Sequence, residues 1–221
     1  MKIEAWKDYW KHNGHEYGMC YADHLNKKFY INIPKNASTW GKQCVEALAF
    51  EPTNYIDSRL IDKGYEAIIF LRDPIDRWYT GIAEYIHRYG LLPSNRFNKD
   101  SIGLILHKVV FDEHTEQQRM FLQGVNLDNA VFFKVDHNLS KNFRHYCKHD
   151  LNTNVELDLT PQWVSIGLKK QILDALQEYM TRHLVTYFSD EVPKSSIERL
   201  NEYYKLDTVL YNSVQYYIKG E

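Results

Sequence analysis

Cysteine and long apolar runs are scarce in this chain of 221 residues. The three cysteines, Cys20, Cys44 and Cys147, lie far apart, form no C-x-x-C pair and cannot all pair with one another. Such a set favours a reducing compartment over a disulfide-stabilised secreted fold. No stretch approaches the roughly 20 apolar residues of a membrane-spanning helix, and the first residues lack the apolar segment of a signal peptide. We therefore expect a soluble cytoplasmic protein, or a domain excised from a longer one.

Strong charge of one sign is also missing, because the formal net charge is −2. This balance gives no reason to expect binding to nucleic acid or to an anionic membrane. The sequence has no internal repeat, low-complexity run or linker, so a single domain over residues 1–221 is predicted. His145, Cys147 and His149 do not predict a metal site, because on a helix Cys147 points away from the two histidines.

One stretch changes its periodicity in the middle. Apolar and polar residues alternate over Phe29–Ile33, which is typical of a strand, and Pro34 ends it. From Trp40 to Phe50 the apolar residues follow a helical spacing. Small and hydrogen-bonding residues with one cation, Lys35, fill the turn between them.

Such a strand–loop–helix turn directs free backbone N–H groups to one point, where the helix dipole favours negative charge. Lys35 adds a point charge, and Ser38 and Thr39 add hydroxyl donors. The turn is not a Walker P-loop, because its lysine precedes the small residues. The pattern predicts a cradle for phosphate or sulfate, and the alternative is an ordinary capped helix after a strand.

A second stretch has the same organisation. Ala67–Leu71 is a continuous apolar run, as in a parallel strand covered on both faces. Asp73 is a good N-cap and Pro74 suits the first position of a helix predicted over residues 74–89. Arg72 at the strand end and Thr80 two turns into the helix can converge on another phosphate.

Parallel strands are predicted over residues 29–33, 65–71 and 130–135, each followed by a helix. This alternation predicts an α/β fold with helices on both faces of the sheet. Ligands of such sheets bind at the carboxyl ends of the strands. Both phosphate-binding stretches lie at such ends, so the fold and the site predictions agree.

The two stretches also resemble a known family. IPKNASTW is similar to the 5′-phosphosulfate loop of sulfotransferases that use 3′-phosphoadenosine 5′-phosphosulfate (PAPS), and it is closer to the P-K-x-A-[SC]-T form of Golgi carbohydrate sulfotransferases than to the cytosolic P-K-S-G-T-T-W form. FLRDPIDRWYTG resembles the 3′-phosphate element R-D-P-x-x-R-x-x-S, with Thr80 in place of serine. Two weaker similarities are the H-x-x-x-Q segment from His114 to Gln118 and a Y-x-x-D-x-x-L-[FY] helix from Tyr203 to Tyr211.

The resemblance implies a P-loop-NTPase-like three-layer fold with a central parallel sheet flanked by helices. It also implies transfer of a sulfuryl group from PAPS to a hydroxyl or amine acceptor, with adenosine 3′,5′-bisphosphate as the product and no metal required. The loop favours a carbohydrate acceptor, and Trp40 either flanks the adenine or anchors the core. The residues implied in PAPS binding are Lys35, Asn36, Ala37, Ser38, Thr39, Trp40, Arg72 and Thr80.

In this family the catalytic base usually follows the first helix and is a histidine or a glutamate. No histidine occurs between Lys35 and Arg72, so Glu51 and Asp57 remain in that interval. His114 is another candidate, because its ordinary pKa is near neutrality. From the residues alone, Glu51 is equally a solvated charge, and a polar pair such as His114 and Gln118 is more often a surface feature. The residues implied in catalysis are thus Lys35, Glu51 and His114.

Two other functions stay open from the sequence. One is a nucleotide-dependent, kinase-like phosphotransferase, which would need ATP and Mg²⁺. The other is a non-catalytic module that binds PAPS or its product but lacks the base. The expected partner is a glycan or small-molecule acceptor, with no nucleic acid and no membrane, and the sequence names neither the acceptor nor the oligomeric state.

Overall fold

The computed structural model of the chain describes residues 20–53, 60, 63–88, 109–122, 124–153 and 194–219. The strands are β1 Cys20–Asp23, β2 Lys28–Ile31, β3 Glu51–Thr53, β4 Glu66–Leu71 and β5 Ala130–Lys134. The α-helices are α1 Ser38–Ala47, α2 Pro74–Arg88, α3 Leu139–His149, α4 Lys194–Tyr203 and α5 Lys205–Ser213. Short 3₁₀ helices cover Gln118–Leu122 and Leu127–Asn129.

These strands form one mixed sheet in the order β3-β1-β2-β4-β5. The three predicted strands lie side by side as β2, β4 and β5 and are parallel, with Phe29 opposite Ala67 and Ala67 opposite Ala130. Strand β4 is buried along nearly its whole length, as its continuous apolar run predicts. The predicted α/β class is therefore confirmed.

The expectation of a wholly parallel central sheet is wrong. Strand β1 runs antiparallel to both of its neighbours, β2 and β3. A tight turn makes this hairpin, in which Asp23 Oδ1 accepts hydrogen bonds from the N–H groups of Leu25 and Asn26 at 2.9 and 3.0 Å. Pro52 lies in β3, an edge strand of the described sheet, where a residue without an N–H group is tolerated.

Two helices begin and end close to their predicted bounds. Helix α2 begins at Pro74, and Asp73 Oδ1 caps it by accepting from the N–H groups of Ile75 and Asp76 at 2.9 and 3.0 Å. Helix α1 begins at Ser38, two residues before the predicted Trp40. Among the described helices, none has the length and apolar character needed to cross a membrane.

The chain divides into two compact units, each with its own core. Unit 1 comprises Met1–Arg72, Gln118–Leu159 and Ser213–Glu221, and unit 2 comprises Asp73–Gln117 and Thr160–Asn212. The prediction of one domain over residues 1–221 stays a prediction. The unit 1 core is aromatic, with edge-to-face contacts among Phe70, Phe133 and Phe143, and the unit 2 core contains Trp78, Ile82, Val109, Leu200 and Tyr204.

The cysteines of the sequence all lie in unit 1. Cys20, Cys44 and Cys147 are buried, and none of them is in a disulfide bond. Burial raises the pKa of Cys147 to about 12, so its thiol stays protonated at neutral pH. These cysteines therefore pack as small apolar side chains rather than as disulfides or reactive thiolates.

Candidate functional site

The loop between β2 and α1 has an unusual backbone. Lys35 and Ala37 have φ angles of 67° and 55°, in the left-handed region, although neither is a glycine. Each such residue costs of the order of 1–3 kcal/mol and persists where its surroundings hold it in place. A backbone of this kind, leading into a helix, turns successive N–H groups toward a common concavity.

Asn36 supplies the restraint at the centre of this loop. Its side chain is fully buried, and Nδ2 donates to the carbonyl oxygen of Phe70 and to Oε1 of Gln118, both at 2.6 Å. Its backbone N–H donates to the carbonyl oxygen of Ile33 at 3.2 Å. Asn36 therefore fastens the loop after β2 to the end of β4, within unit 1.

Helix α1 begins in this loop without a side-chain cap. Ala37 occupies the N-cap position and has no side chain that can accept a hydrogen bond. The first N–H groups of a helix, here from Ser38 onward, have no acceptor within the helix. The positive end of the helix dipole adds to the attraction for an anion. The loop thus has the backbone form predicted for a phosphate or sulfate cradle, while occupation of it by an anion stays a prediction.

Lys35 and Arg72, two cationic residues of unit 1 that the sequence predicts at the binding site, lie close together at the carboxyl ends of neighbouring parallel strands. Arg72 directly follows β4, and its Nη1 donates to the carbonyl oxygen of Lys35 at 3.5 Å. Both side chains are partly buried. Positive charges placed at this end of the sheet create a field that favours a polyanionic ligand.

Gln118 is a residue whose role the sequence does not reveal. It is 1% exposed, and its amide bonds to the backbone of Arg72 in both directions: Arg72 N–H donates to Oε1 at 3.1 Å, and Nε2 donates to the Arg72 carbonyl oxygen at 2.8 Å. The interpretation of Gln118 as a surface residue is therefore wrong. The H-x-x-x-Q resemblance marked the residue, but nothing in the sequence marked these partners.

Trp40 packs into the unit 1 core. Its ring centroid lies 5.8 Å from that of Phe70 and 5.7 Å from that of Phe143. Of its two predicted roles, this contact supports the core anchor, and a contact with adenine stays a prediction. Trp40 fixes the orientation of α1 on the sheet and, with it, the direction of the uncapped helix end.

The structure does not bring Glu51 to the Lys35 loop. Glu51 lies on edge strand β3 opposite Ala22, which is itself opposite Phe29 at the start of β2. The loop follows the other end of β2. The Glu51 side chain is 75% exposed and lies 3.7 Å from His24 Nε2. Asp57, the other candidate base of this interval, lies outside the described residues.

Thr80 belongs to unit 2 and lies on α2. Its hydroxyl donates to the carbonyl oxygen of Asp76 at 2.9 Å, one turn earlier in the helix. This bond leaves the oxygen lone pairs as acceptors and occupies its one proton. A contact between Thr80 and a 3′-phosphate stays a prediction, and it would require the hydroxyl proton to turn away from Asp76.

His114, in unit 2, is buried rather than on the surface. Its Nδ1 lies 2.9 Å from Asp112 Oδ2 and 3.0 Å from Glu113 Oε1. Burial lowers the pKa of His114, but hydrogen bonds and negative charge from Asp112 and Glu113 outweigh it, so that its pKa is raised. Atoms of these three side chains that could bind a metal ion lie within 4.8 Å of one another. The ion pairs of His114 with Asp112 and Glu113 are enough to explain this closeness. The role of His114 as a catalytic base stays a prediction.

Replacing His114 with asparagine should cost stability mainly at acidic pH. Because the folded-state pKa is raised, the protonated ring stabilises the fold fully below its unfolded pKa of about 6.5, and this contribution disappears as pH rises through the folded value. The free energy of unfolding in urea, compared between wild type and variant at several pH values, should show a difference that shrinks with rising pH. A difference that stays constant would contradict the assigned shift.

Arg77 is the second structural residue that sequence reasoning missed. It is fully buried in unit 2, where Nη2 donates to the carbonyl oxygen of Glu113 at 3.0 Å and Nη1 donates to that of Glu116. The hydroxyl of Tyr204, also buried, donates to the carbonyl oxygen of Thr115. Arg77 and Tyr204 thus hold the backbone of the His114 segment. The second arginine of R-D-P-x-x-R was the available sign of this role.

Comparison with family models, with curated proteins and with solved structures finds no match for this chain. The resemblance to sulfotransferases accordingly rests on the sequence motifs.

Proposed function

We propose that this protein is a sulfotransferase that moves a sulfuryl group from PAPS to a hydroxyl or amine acceptor. The acceptor oxygen or nitrogen forms a bond to sulfur while the bond between sulfur and the bridging phosphate oxygen breaks. The acceptor proton passes to a base, and the donor leaves as adenosine 3′,5′-bisphosphate. Such a transfer resembles phosphoryl transfer, in which positioning and charge stabilisation do most of the catalysis.

One observation carries this proposal: helix α1 begins without a side-chain cap, in a loop where Lys35 and Ala37 have left-handed backbone angles. The buried side chain of Asn36 holds this loop in place through hydrogen bonds to Phe70 and Gln118. The loop N–H groups, with the hydroxyl groups of Ser38 and Thr39, would bind the 5′-phosphosulfate. Lys35 would stabilise the negative charge that grows on the bridging oxygen as it leaves. Asn36 would keep these donors in place before the substrate arrives, so that little ordering cost is left for binding.

Arg72 would bind the 3′-phosphate and so select PAPS over ATP. A guanidinium group suits this task, because its planar donors match phosphate oxygens. The P-K-x-A-S-T form of the loop makes carbohydrates the acceptor class to test first. The proposal includes the finer fold, a P-loop-NTPase-like three-layer arrangement, and a reducing compartment, which the buried cysteine thiols without disulfide bonds support.

Calorimetric binding without metal tests the nucleotide part of this proposal. Adenosine 3′,5′-bisphosphate should bind with a micromolar Kd, and Arg72→Ala should weaken this binding by about 10- to 100-fold, as expected for lost charge-assisted hydrogen bonds. The same variant should bind 5′-AMP almost as the wild type does, because 5′-AMP has no 3′-phosphate. Arg144→Ala, which removes an exposed arginine of α3, is the matched control.

Three results would contradict the assignment. No binding of the bisphosphate by the wild-type protein would remove the PAPS site. A preference for ATP that depends on Mg²⁺ would favour the kinase-like phosphotransferase instead. An equal loss for 5′-AMP in Arg72→Ala would show that Arg72 does not recognise the 3′-phosphate.

A non-catalytic module that binds PAPS or its product is the second candidate. The position of Glu51, away from the Lys35 loop, favours it, because the first candidate for the base then does not reach the sulfuryl group. Labelled PAPS offered with a broad panel of glycans, phenols and amines separates the two. Transfer to any acceptor supports the enzyme, and bisphosphate binding without transfer supports the module.

A further inference from the structure

We infer that Gln118 is a positioning residue whose one side-chain amide holds both the Lys35 loop and Arg72 in the form that binds the donor nucleotide. This inference rests on the proposed function, since it concerns the same site. It assigns to Gln118 an effect on binding and turnover without any contact with the nucleotide. All of the contacts that carry it lie within unit 1.

The side-chain amide of Gln118 pairs with the backbone of Arg72. Strand β5 continues to pair with β4 as far as Leu71, whose carbonyl oxygen accepts from Val135 N–H at 2.8 Å. One residue later, the Gln118 amide supplies both an acceptor and a donor to Arg72, at 3.1 and 2.8 Å. The side chain thus replaces a strand partner where the sheet ends, and it sets the direction in which Arg72 leaves β4.

The side-chain amide of Gln118 also bonds to the Lys35 loop, through Asn36. The same oxygen, Gln118 Oε1, accepts from Asn36 Nδ2 at 2.6 Å, and Asn36 Nδ2 also donates to the carbonyl oxygen of Phe70. Asn36 and Gln118 are 0% and 1% exposed. Removing one member of a buried network is costly, because it leaves the polar groups that it bonded without partners. The amide of Gln118 therefore couples the loop after β2 to the residue after β4.

The chemistry of this position is demanding. The side chain must accept two hydrogen bonds and donate one, and it must be as long as glutamine to reach these partners. Methionine has a similar size but offers neither group in comparable strength. An ionised glutamate accepts but cannot donate, and it would face the Arg72 carbonyl oxygen with a charge. A protonated glutamate presents a carbonyl and an O–H group, and so it restores the pattern of the amide.

This contrast gives a test with a pH signature, which general loss of stability would not produce. Gln118→Met should weaken binding of adenosine 3′,5′-bisphosphate by about 10- to 100-fold at every pH. Gln118→Glu should be equally weak at pH 8.5 and recover part of the loss at pH 5.5, since burial and the Arg72 carbonyl oxygen favour the neutral acid while the charges of Lys35 and Arg72 oppose it. Each affinity is divided by that of the wild type at the same pH, which removes the titration of the ligand phosphates.

Gln117→Met is the matched control. Gln117 is a buried neighbour of the same type, and its Nε2 donates to the carbonyl oxygen of Tyr203 at 2.7 Å in unit 2. This variant also loses a buried hydrogen bond, so its folding stability should fall while its affinity for the bisphosphate stays near that of the wild type. Equal weakening in both variants, or normal affinity in Gln118→Met, would overturn the positioning role.

A measurement without ligand separates this inference from the proposed function. Amide hydrogen exchange in Gln118→Met should be at least about tenfold faster at Arg72 and in the loop from Asn36 to Thr39, with β4 itself unchanged. If the wild-type protein fails to bind the bisphosphate, the proposed function falls, and faster local exchange still supports Gln118 as the residue that holds the loop. Unchanged exchange at Arg72 overturns the inference in either case.

Discussion

Replacing Lys35 with alanine is expected to lower turnover by about 10²- to 10³-fold, the effect of removing one group that stabilises a leaving or attacking oxygen. The fold should survive, because Asn36 holds the loop through contacts that do not involve the Lys35 side chain. The contact between Arg72 and Lys35 uses the Lys35 carbonyl oxygen, which alanine retains. Turnover is measured as transfer of labelled sulfuryl groups from PAPS to the best acceptor of the panel.

Lys42→Ala is the control for this experiment. Lys42 is an exposed lysine of α1 that lies 3.7 Å from Glu46, a surface pair worth about 0.3–0.5 kcal/mol. Its removal changes the net charge by the same amount but should leave turnover unchanged. Urea unfolding of both variants establishes that the protein remains folded. Near-normal turnover in Lys35→Ala would refute its role in catalysis.

Gly41→Ala is expected to destabilise unit 1 by about 1–3 kcal/mol, the usual cost of overpacking a core. A Cβ atom at this position would overlap the hydroxyl of Tyr30 and lie 2.7 Å from its Cζ and 3.0 Å from Cε2 of Phe70. Both rings are buried in the unit 1 core and have little room to move. Alanine in a helix would otherwise be more stable than glycine by about 1 kcal/mol. The overlap with Tyr30 therefore decides that the substitution destabilises the fold.

The double variant Tyr30→Phe with Gly41→Ala tests the cause of this loss. The Tyr30 hydroxyl donates to Asn32 Oδ1 at 3.4 Å, a long bond whose removal should cost little by itself. Without that oxygen, the added methyl group has more space, so the double variant should recover part of the stability. Urea unfolding of the four proteins gives the coupling. Full stability of Gly41→Ala, or strict additivity, would contradict the contact.

The parallel half of the sheet was predictable because each of its strands has a strand pattern that changes to a helical period within a few residues. The antiparallel strands β1 and β3 were not. Strand β1 is four residues long and β3 is three residues long. Strands this short contain too few residues to show a periodicity, and β3 pairs with β1, a segment distant from it in sequence.

The positions of the Lys35 loop and of Arg72 after neighbouring strands were also predictable, because consecutive residues carry the change from strand to helix. The position of Glu51 was not, because chain distance was taken for spatial distance. A helix that follows a parallel strand returns the chain to the amino end of the sheet, so the residue after α1 lies far from the loop before it. The role of Gln118 was not predicted, because its partner, Arg72, is 46 residues away and contributes only backbone atoms.

The two units are interleaved along the chain, and this has a consequence for biosynthesis. Unit 1 includes Ser213–Glu221. In this segment, Tyr217 N–H donates to the carbonyl oxygen of Phe132, a residue of β5, at 2.8 Å. A ribosome releases this segment after all of unit 2 has been made. The nascent chain therefore lacks the hydrogen bond from Tyr217 to β5 during the synthesis of about 80 residues, an interval of roughly 4–16 s at typical rates.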